Sequence, residues 1–164
     1  MSKVSLVDYA GQNDVEKIKQ LLVTGSNINE FDYDKGALHA ACMTNSIEVA
    51  RILIDNDIDV NMPDNMTGAT PLHYRSVYNN FEIANMIIEN KGRLDISDNY
   101  NNQPLWTSVF NVKGREERLP IVELYLMNGA NKNHINKAGR SPLDFASQVK
   151  FYPLLELLCK YGDK

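Results

Sequence analysis

Apolar residues recur at a helical spacing in several separate segments of the chain. Three segments share the spacing i, i+3, i+4: Val49, Ile52 and Leu53; Ile83, Met86 and Ile87; and Val122, Tyr125 and Leu126. Residues with this spacing lie on one face of an α-helix, while the polar residues between them lie on the opposite face. Each segment is therefore predicted to be an amphipathic helix with one buried side.

A second, shorter helix is predicted on the N-terminal side of such segments. Pro71, Pro104 and Pro142 mark its first turn, where the N–H that proline lacks would be unpaired in any case. Thr70 and Ser141 directly precede two of these prolines, and their side chains are good N-caps. The intervening stretches are rich in Asp, Asn and Gly, which favour turns, and they span residues 30–35, 62–69, 96–102 and 134–140.

This order of turn, short helix and longer helix returns at a nearly constant period. Leu38, Leu72, Leu105 and Leu143 occupy the same place in successive copies, at spacings of 34, 33 and 38 residues. Periods in this range are typical of stacked repeat arrays. One copy alone has too little apolar surface to form a core, so the copies are predicted to stack into one continuous core.

The repeated unit resembles the ankyrin repeat, whose pattern is G-x-T-P-L-H-x-A-A, then G-H-x-E-V-V-x-L-L-L, then G-A-D-V-N. The third copy matches at Gly68, Thr70, Pro71, Leu72, His73, Glu82, Ile83, Met86, Ile87 and Ile88. The second matches at Leu38, His39, Ala41, Glu48, Val49, Ile52, Leu53, Ile54, Asp59, Val60 and Asn61. The remaining copies keep fewer positions, including Leu6 and Gly25 in the first, Pro104 and Gly129 in the fourth, and Ser141, Pro142 and Leu143 in the fifth.

The resemblance implies an all-α solenoid of stacked helix-turn-helix units with finger loops between them. It covers essentially the whole chain and implies a stand-alone domain of five copies over residues 1–164. The predicted copies span approximately residues 1–29, 30–61, 62–95, 96–133 and 134–164.

Composition narrows the classes of partner. The net charge of −4 argues against nucleic-acid binding, which usually needs a basic face. No apolar run approaches the roughly 18 residues of a membrane span, and the N-terminal sequence lacks the apolar core of a signal peptide. Cys42 and Cys159 fall in copies too far apart to be joined, so both are expected to be reduced, as in a cytoplasmic protein.

No constellation of residues indicates catalysis, a cofactor or a metal. His39 and Cys42 could both face one metal ion, but zinc needs three or four protein ligands, and no other Cys or His falls in that copy. The resemblance instead implies that His39 and His73 hydrogen-bond backbone groups or the loop of the preceding copy. His134 is expected to be solvated. The chain is therefore predicted not to be an enzyme.

In the ankyrin family, partners usually meet the finger tips and the exposed positions of the short helices. Carried over by position, this implies a concave face rich in aromatic and methionine side chains, which are enriched at protein interfaces. The predicted partner-binding residues are Tyr33, Met43, Met66, Tyr74, Tyr78, Tyr100, Trp106, Phe110 and Arg140.

Two features depart from the family pattern. Arg75 occupies a position where the family has alanine, and a cation there is expected to pair with a carboxylate or to reach water. Residues 112–120 form an insertion of roughly five residues, and insertions fall in loops where they are easily tolerated. The charge density of this insertion leaves open a contact with a partner.

The function predicted from these features is non-catalytic protein binding by a chain that is monomeric when free. Asparagine is abundant, a bias that suggests a bacterial source, and short bacterial ankyrin proteins often resemble cognate inhibitors. The first interpretation is therefore an inhibitor that occludes one target protein, as an immunity protein occludes a toxin. The alternative is a scaffold or adaptor that bridges two protein partners.

Overall fold

The chain folds into consecutive helix pairs. The computed structural model describes residues 4–162, so the outermost residues of the first and last predicted copies lie outside the described part. Within it, the pairs are α1 (Leu6–Gly11) and α2 (Val15–Val23); α3 (Ala37–Thr44) and α4 (Ile47–Asp55); α5 (Pro71–Tyr78) and α6 (Phe81–Glu89); α7 (Pro104–Val112) and α8 (Leu119–Met127); and α9 (Pro142–Gln148) and α10 (Tyr152–Lys160). The prediction of an all-α stack of helix-turn-helix units is confirmed.

One finger loop contains a very short antiparallel ribbon. Strands β1 (Phe31–Asp32) and β2 (Lys35–Gly36) pair Phe31 with Gly36 and Asp32 with Lys35. Such two-residue strands leave no alternating pattern in the sequence, and the ribbon was not predicted.

The helices stack in two rows with the core between them. The first helices of the pairs, α1, α3, α5, α7 and α9, pack against one another, and the second helices do the same. Leu38, Leu72 and Leu105 are fully buried between the rows, whereas Leu143 in the last pair is only partly buried. The difference follows from position, because a terminal pair has a neighbour on one side only.

Helix starts follow the local signals. Helices α5, α7 and α9 begin at the predicted prolines. Ser141 caps α9 through a reciprocal arrangement, in which its hydroxyl accepts from the Asp144 N–H at 3.1 Å and the Asp144 carboxylate accepts from the Ser141 N–H at 3.0 Å. Thr70 also directly precedes a helix, α5, but its hydroxyl caps no backbone N–H of that helix; its own N–H donates to the His73 ring at 3.1 Å.

Two buried histidines join successive repeats. His39 Nδ1 accepts from the Gly36 N–H (3.2 Å), so its Nε2–H donates to the Ala69 carbonyl (3.2 Å). His73 repeats this arrangement, with Nε2–H donating to the Asn102 carbonyl at 2.9 Å. The partners are backbone groups, as one of the two expected alternatives had it. Both carbonyls belong to the following repeat, so the other alternative, a bond to the loop of the preceding repeat, is not what the structure shows. His134, expected to be solvated, is half-buried and hydrogen-bonds the Asn101 carbonyl at 3.0 Å.

Burial makes the array sensitive to mild acid. Desolvation lowers the pKa of both His39 and His73 below the ordinary value of 6.5. Between the folded pKa and about pH 6.5 the unfolded chain therefore binds protons that the folded chain does not. The contribution of the two neutral histidines to the free energy of unfolding is expected to be fully present above about pH 6.5. Below that pH the free energy of unfolding should fall, by at most about 1.4 kcal/mol per pH unit for each histidine.

Urea unfolding at about pH 7.5, 6.5 and 5.5 measures this slope. The variants His39→Gln and His73→Gln should each show a shallower slope than the parent chain. Carboxylates with lowered pKa values, such as Asp64 and Asp144, lose their contribution to stability only below about pH 4. They therefore do not affect the slope measured between about pH 5.5 and 7.5. An unchanged slope in both variants would contradict the assignment.

Arg75 has partners that the sequence did not indicate. Its side chain is fully buried, so it does not reach water, and no carboxylate among the described residues pairs with it. The guanidinium instead donates to the Cys42 carbonyl and lies 3.5 Å from Asn45 Oδ1, while its Nε has no partner within residues 4–162. Desolvation lowers the pKa of this arginine. The expected carboxylate pairing was therefore wrong, and the cation instead links the second repeat to the third.

The insertion at residues 112–120 packs back onto the array. It contains a 3-10 turn at Glu116–Arg118. Arg118 Nη1 donates to the Val77 carbonyl at 3.0 Å, and Asn79 Nδ2 donates to the Glu117 carbonyl at 3.2 Å. The insertion thus ties the fourth repeat to the end of α5 in the third.

Candidate partner-binding surface

Hydrogen bonds connect successive finger loops into a continuous edge. Asn65 N–H donates to the Asp34 carbonyl (2.8 Å), Asn99 N–H to the Thr67 carbonyl (2.7 Å) and Lys137 N–H to the Tyr100 carbonyl (3.0 Å). We use the term concave face for the surface formed by these fingers and the first helices of the pairs. Because the fingers are tied to one another, they hold the side chains of this face in fixed relative positions.

Asparagine side chains make many of the links between repeats. Asn29 Oδ1 accepts from the Asp59 N–H (2.9 Å), and Asn61 Oδ1 accepts from the Arg93 N–H (2.7 Å). These contacts give the abundance of asparagine a structural reason within the array. The composition is thus explained without reference to the source organism.

Three of the predicted residues meet in one groove between the third and fourth repeats. We call it the central groove. It has a volume of about 280 Å³ and is lined by Thr67, Ala69, His73, Tyr74, Val77, Tyr78, Asp98, Tyr100 and Thr107. Tyr78 is 46% exposed and Tyr100 64% exposed, so both rings are accessible to a partner.

Tyr74 is held more firmly than the other two tyrosines. Its ring meets His39 edge-on with centroids 5.1 Å apart, and its hydroxyl donates to Asp64 Oδ2 at 3.2 Å. Burial and the Asp64 charge raise the pKa of Tyr74. Burial would also raise the pKa of Asp64, but donors from Thr67, Met66 and Tyr74 outweigh it, and that pKa is lowered. Tyr74 therefore supports the groove as well as lining it.

A second aromatic group lies on the neighbouring part of the face. Trp106 and Phe110 on α7 pack with Phe145 on α9, with ring centroids 5.6 Å apart for Trp106–Phe145 and 5.4 Å for Phe110–Phe145. We call this group the aromatic cluster. Beside it lies a mostly apolar cavity of about 350 Å³, lined by Val109, Phe110, Val112, Lys113, Gly114, Phe145, Val149, Phe151 and Leu154.

The remaining predicted residues are more dispersed. Tyr33, which is 94% exposed, and the half-buried Met43 line a depression of about 290 Å³ between the first two repeats. Met66 and Arg140 are exposed on separate fingers. Neither residue lines the central groove, the cavity beside the aromatic cluster or the depression at Tyr33.

Sequence reasoning missed several residues that line these grooves. Asp98 lies in the predicted turn at residues 96–102, and neither Asp98 nor Val149 nor Phe151 is among the predicted partner-binding residues. The sequence carried a weak signal for the last two of these residues: Val149 and Phe151 are apolar, although they flank Lys150 in the turn between the last two helices. Within residues 4–162 no group of three or more His, Cys, Asp or Glu side chains lies close enough to hold a metal ion. None of the helices in that range is both long and apolar enough to span a bilayer.

Comparison with known proteins identifies the family. A family model of ankyrin repeats in three copies matches residues 6–100, more than half of the chain. Together with the five stacked helix pairs, this match shows that the chain belongs to the ankyrin repeat family. Ankyrin repeats generally mediate binding to other proteins and are generally non-catalytic.

Two relatives illustrate the range of proteins that share the repeats. The chain is 31% identical, over 153 residues, to a putative ankyrin repeat protein of fowlpox virus. It is 35% identical, over 71 residues, to the palmitoyltransferase AKR1 of Lachancea kluyveri. The aligned residues cover 92% of this chain and 19% of the viral protein, and 41% of this chain and 10% of the transferase. The chain thus spans only a small part of either relative.

Proposed function

We propose that this protein binds one target protein through its concave face and thereby blocks the surface of the target that it covers. The observation that carries the proposal is the central groove, where α5 and the following finger bring exposed Tyr78 and Tyr100 together. Tyrosines in such positions contribute strongly to binding because they offer a large contact area with little loss of conformational freedom.

Continuity of the face favours one target over two. Helix α7 contributes Thr107 to the central groove and Trp106 and Phe110 to the aromatic cluster. A single partner can therefore cover both features at once. The adaptor alternative would need a second accessible aromatic surface, and the exposed outer helices offer isolated residues such as Phe81 and Tyr152.

The narrower parts of the prediction remain proposals. Inhibition of a toxin in the manner of an immunity protein is one form of target occlusion, and neither relative named above is described as an immunity protein. A cytoplasmic location is motivated by two free thiols, Cys42 and Cys159. A monomeric free state and the absence of catalysis, cofactor and metal complete the proposal.

Site-specific photo-crosslinking tests the assignment of the face. A photoreactive phenylalanine analogue would replace Tyr78 or Tyr100 on the concave face, and Phe81 or Tyr152 on the outer helices. After irradiation in an extract of the native host, we expect the two concave positions to crosslink to the same protein. If the outer positions crosslinked to a protein and the two concave positions did not, the proposal would be contradicted.

Truncation of one groove tyrosine should weaken the complex strongly. Tyr78→Ala is expected to cost about 2 kcal/mol of binding free energy, roughly thirtyfold in Kd, because central aromatic residues dominate interfaces. Calorimetric titration with the crosslinked partner measures the change. Phe81→Ala is the matched control, since Phe81 lies in the same repeat at 49% exposure but on the outer row. Equal losses in the two variants would place the interface elsewhere.

A further inference from the structure

The central groove combines tyrosine rings with one carboxylate and no basic side chain. Asp98 is the acidic residue among the side chains that line it, and the lining includes neither lysine nor arginine. We propose that the groove is a subsite for one arginine side chain of the target protein, whose guanidinium lies against Tyr78 and Tyr100 and donates to Asp98. This inference rests on the proposed function, because it specifies which chemical group the concave face receives.

The tyrosine rings supply attraction for a cation. Tyr74 and Tyr78 are four residues apart on α5 and therefore lie on the same side of that helix. Tyr100 joins them from the next finger. The faces of aromatic rings carry negative potential, and a planar guanidinium can stack on them while keeping its N–H groups free to donate.

Asp98 supplies an acceptor with unused capacity. Its Oδ1 accepts from the N–H groups of Tyr100 and Asn102, both at 2.8 Å, and its Oδ2 accepts from Asn102 Nδ2 at 3.1 Å. An ionised carboxylate has about four lone-pair positions, and the bonds within residues 4–162 leave one acceptor position on Oδ2 for a donor from outside. The three internal bonds fix the carboxylate in place before a ligand arrives.

In the part of the chain that the structure describes, no basic side chain contacts the Asp98 carboxylate directly. The Lys137 ammonium donates to the Asn99 carbonyl at 2.7 Å, and the Lys35 ammonium pairs with Asp34 at 2.7 Å. His73 contacts the groove, but both its ring nitrogens are hydrogen-bonded and burial lowers its pKa, so it is neutral at pH 7. The groove therefore keeps a net negative charge.

Other classes of side chain fit this groove less well. An apolar side chain would strip water from Asp98 without replacing the lost hydrogen bond, which is costly. An acidic side chain would be repelled by the same carboxylate. Lysine would satisfy the charge but would present a compact, strongly hydrated ammonium instead of a flat group that stacks on the rings.

A peptide selection with the whole chain tests the subsite. Random short peptides displayed on phage would be selected on the immobilised protein, and enriched sequences would be synthesised for Kd measurements by fluorescence polarisation. We expect arginine at a constant position in these peptides. Replacing it with citrulline, which has nearly the same shape without the charge, should weaken binding about tenfold, the loss of one charge-assisted contact and its cation–π component.

Protein variants show whether that arginine meets Asp98. Asp98→Asn keeps an Oδ1 acceptor for the Tyr100 and Asn102 N–H groups and loses only the bond from Asn102 Nδ2, so the backbone turn of the finger should be retained, which a thermal unfolding curve of the variant checks. It should weaken the arginine peptide several-fold and reduce the difference between the arginine and citrulline peptides to its cation–π component, which is the signature of a direct pair. The matched control is Asp59→Asn, because Asp59 Oδ1 accepts a similar turn bond from the Asn61 N–H (2.9 Å) outside the groove. It should leave both affinities unchanged.

The possible failures separate the two proposals. Selected peptides that depend on Tyr78 but bind equally well with citrulline would overturn the arginine subsite and leave the concave face standing. Peptides that are indifferent to Asp98→Asn and to Tyr78→Leu would place binding elsewhere and count against both. If no peptide is enriched, the arginine subsite is overturned, while the crosslinking experiment still decides the concave face.

Discussion

Replacing Leu72 with alanine is expected to lower the free energy of unfolding by about 2–5 kcal/mol, the usual range for a buried leucine in a well-packed core. Leu72 is 1% exposed and lies between the two helix rows in the middle of the array. The loss combines removed apolar contacts with a cavity that neighbours on both sides keep from collapsing. Urea unfolding of the variant and the parent chain, followed by far-ultraviolet circular dichroism, measures the difference.

Leu143→Ala provides the comparison at the edge of the same core. Leu143 holds the equivalent place in the last repeat but is only partly buried. Its truncation should therefore cost clearly less than that of Leu72. If the two variants lose the same stability, or if amide exchange is faster in residues 70–90 than in residues 4–22, the middle of the array is not its most stable part.

The second large effect is expected at His73. His73→Ala removes the acceptor of the buried Thr70 N–H and the donor to the partly buried Asn102 carbonyl, and it leaves both backbone groups without their side-chain partner. Each unsatisfied buried group costs about 1–3 kcal/mol, so a total loss of roughly 2–4 kcal/mol is expected. Chemical unfolding above about pH 7 measures the loss where His73 is neutral in both states.

His134→Ala is the control for this prediction. His134 also hydrogen-bonds a carbonyl of a neighbouring finger, that of Asn101, but its side chain is half-buried, so water can replace the lost bond. Its loss should stay below about 1 kcal/mol. A comparable loss at both positions would mean that burial of the hydrogen-bonded groups is not the source of the effect.

The sequence predicted on which helix or finger each residue of the candidate site lies, but not which of these side chains share a groove. Position in the repeat placed Tyr78, Trp106 and Phe110 on first helices and Tyr100 on a finger, and the structure has them there. Which of these side chains share a groove depends on how far each finger reaches over the preceding helix. Their role in partner binding stays a prediction until the experiments described above are done.

The sequence by itself determined the fold class, a stack of helix-turn-helix units. Periodicity identified the buried helix faces, Pro71, Pro104 and Pro142 marked helix starts, and the period of the leucines showed that the copies stack. These features depend on residues close together in the chain, where spacing, missing N–H groups and capping side chains act directly on the local backbone.

Only the tertiary structure decided the contacts between repeats. Arg75 in the third repeat donates to the carbonyl of Cys42 in the second. Tyr125 in the fourth repeat donates to the carbonyl of Leu72 in the third, at 2.8 Å. The insertion at residues 112–120 docks on the end of α5 in the same manner. A carbonyl group is present at every residue and so leaves no mark in the sequence, and which one a buried donor reaches is settled only when the helices pack.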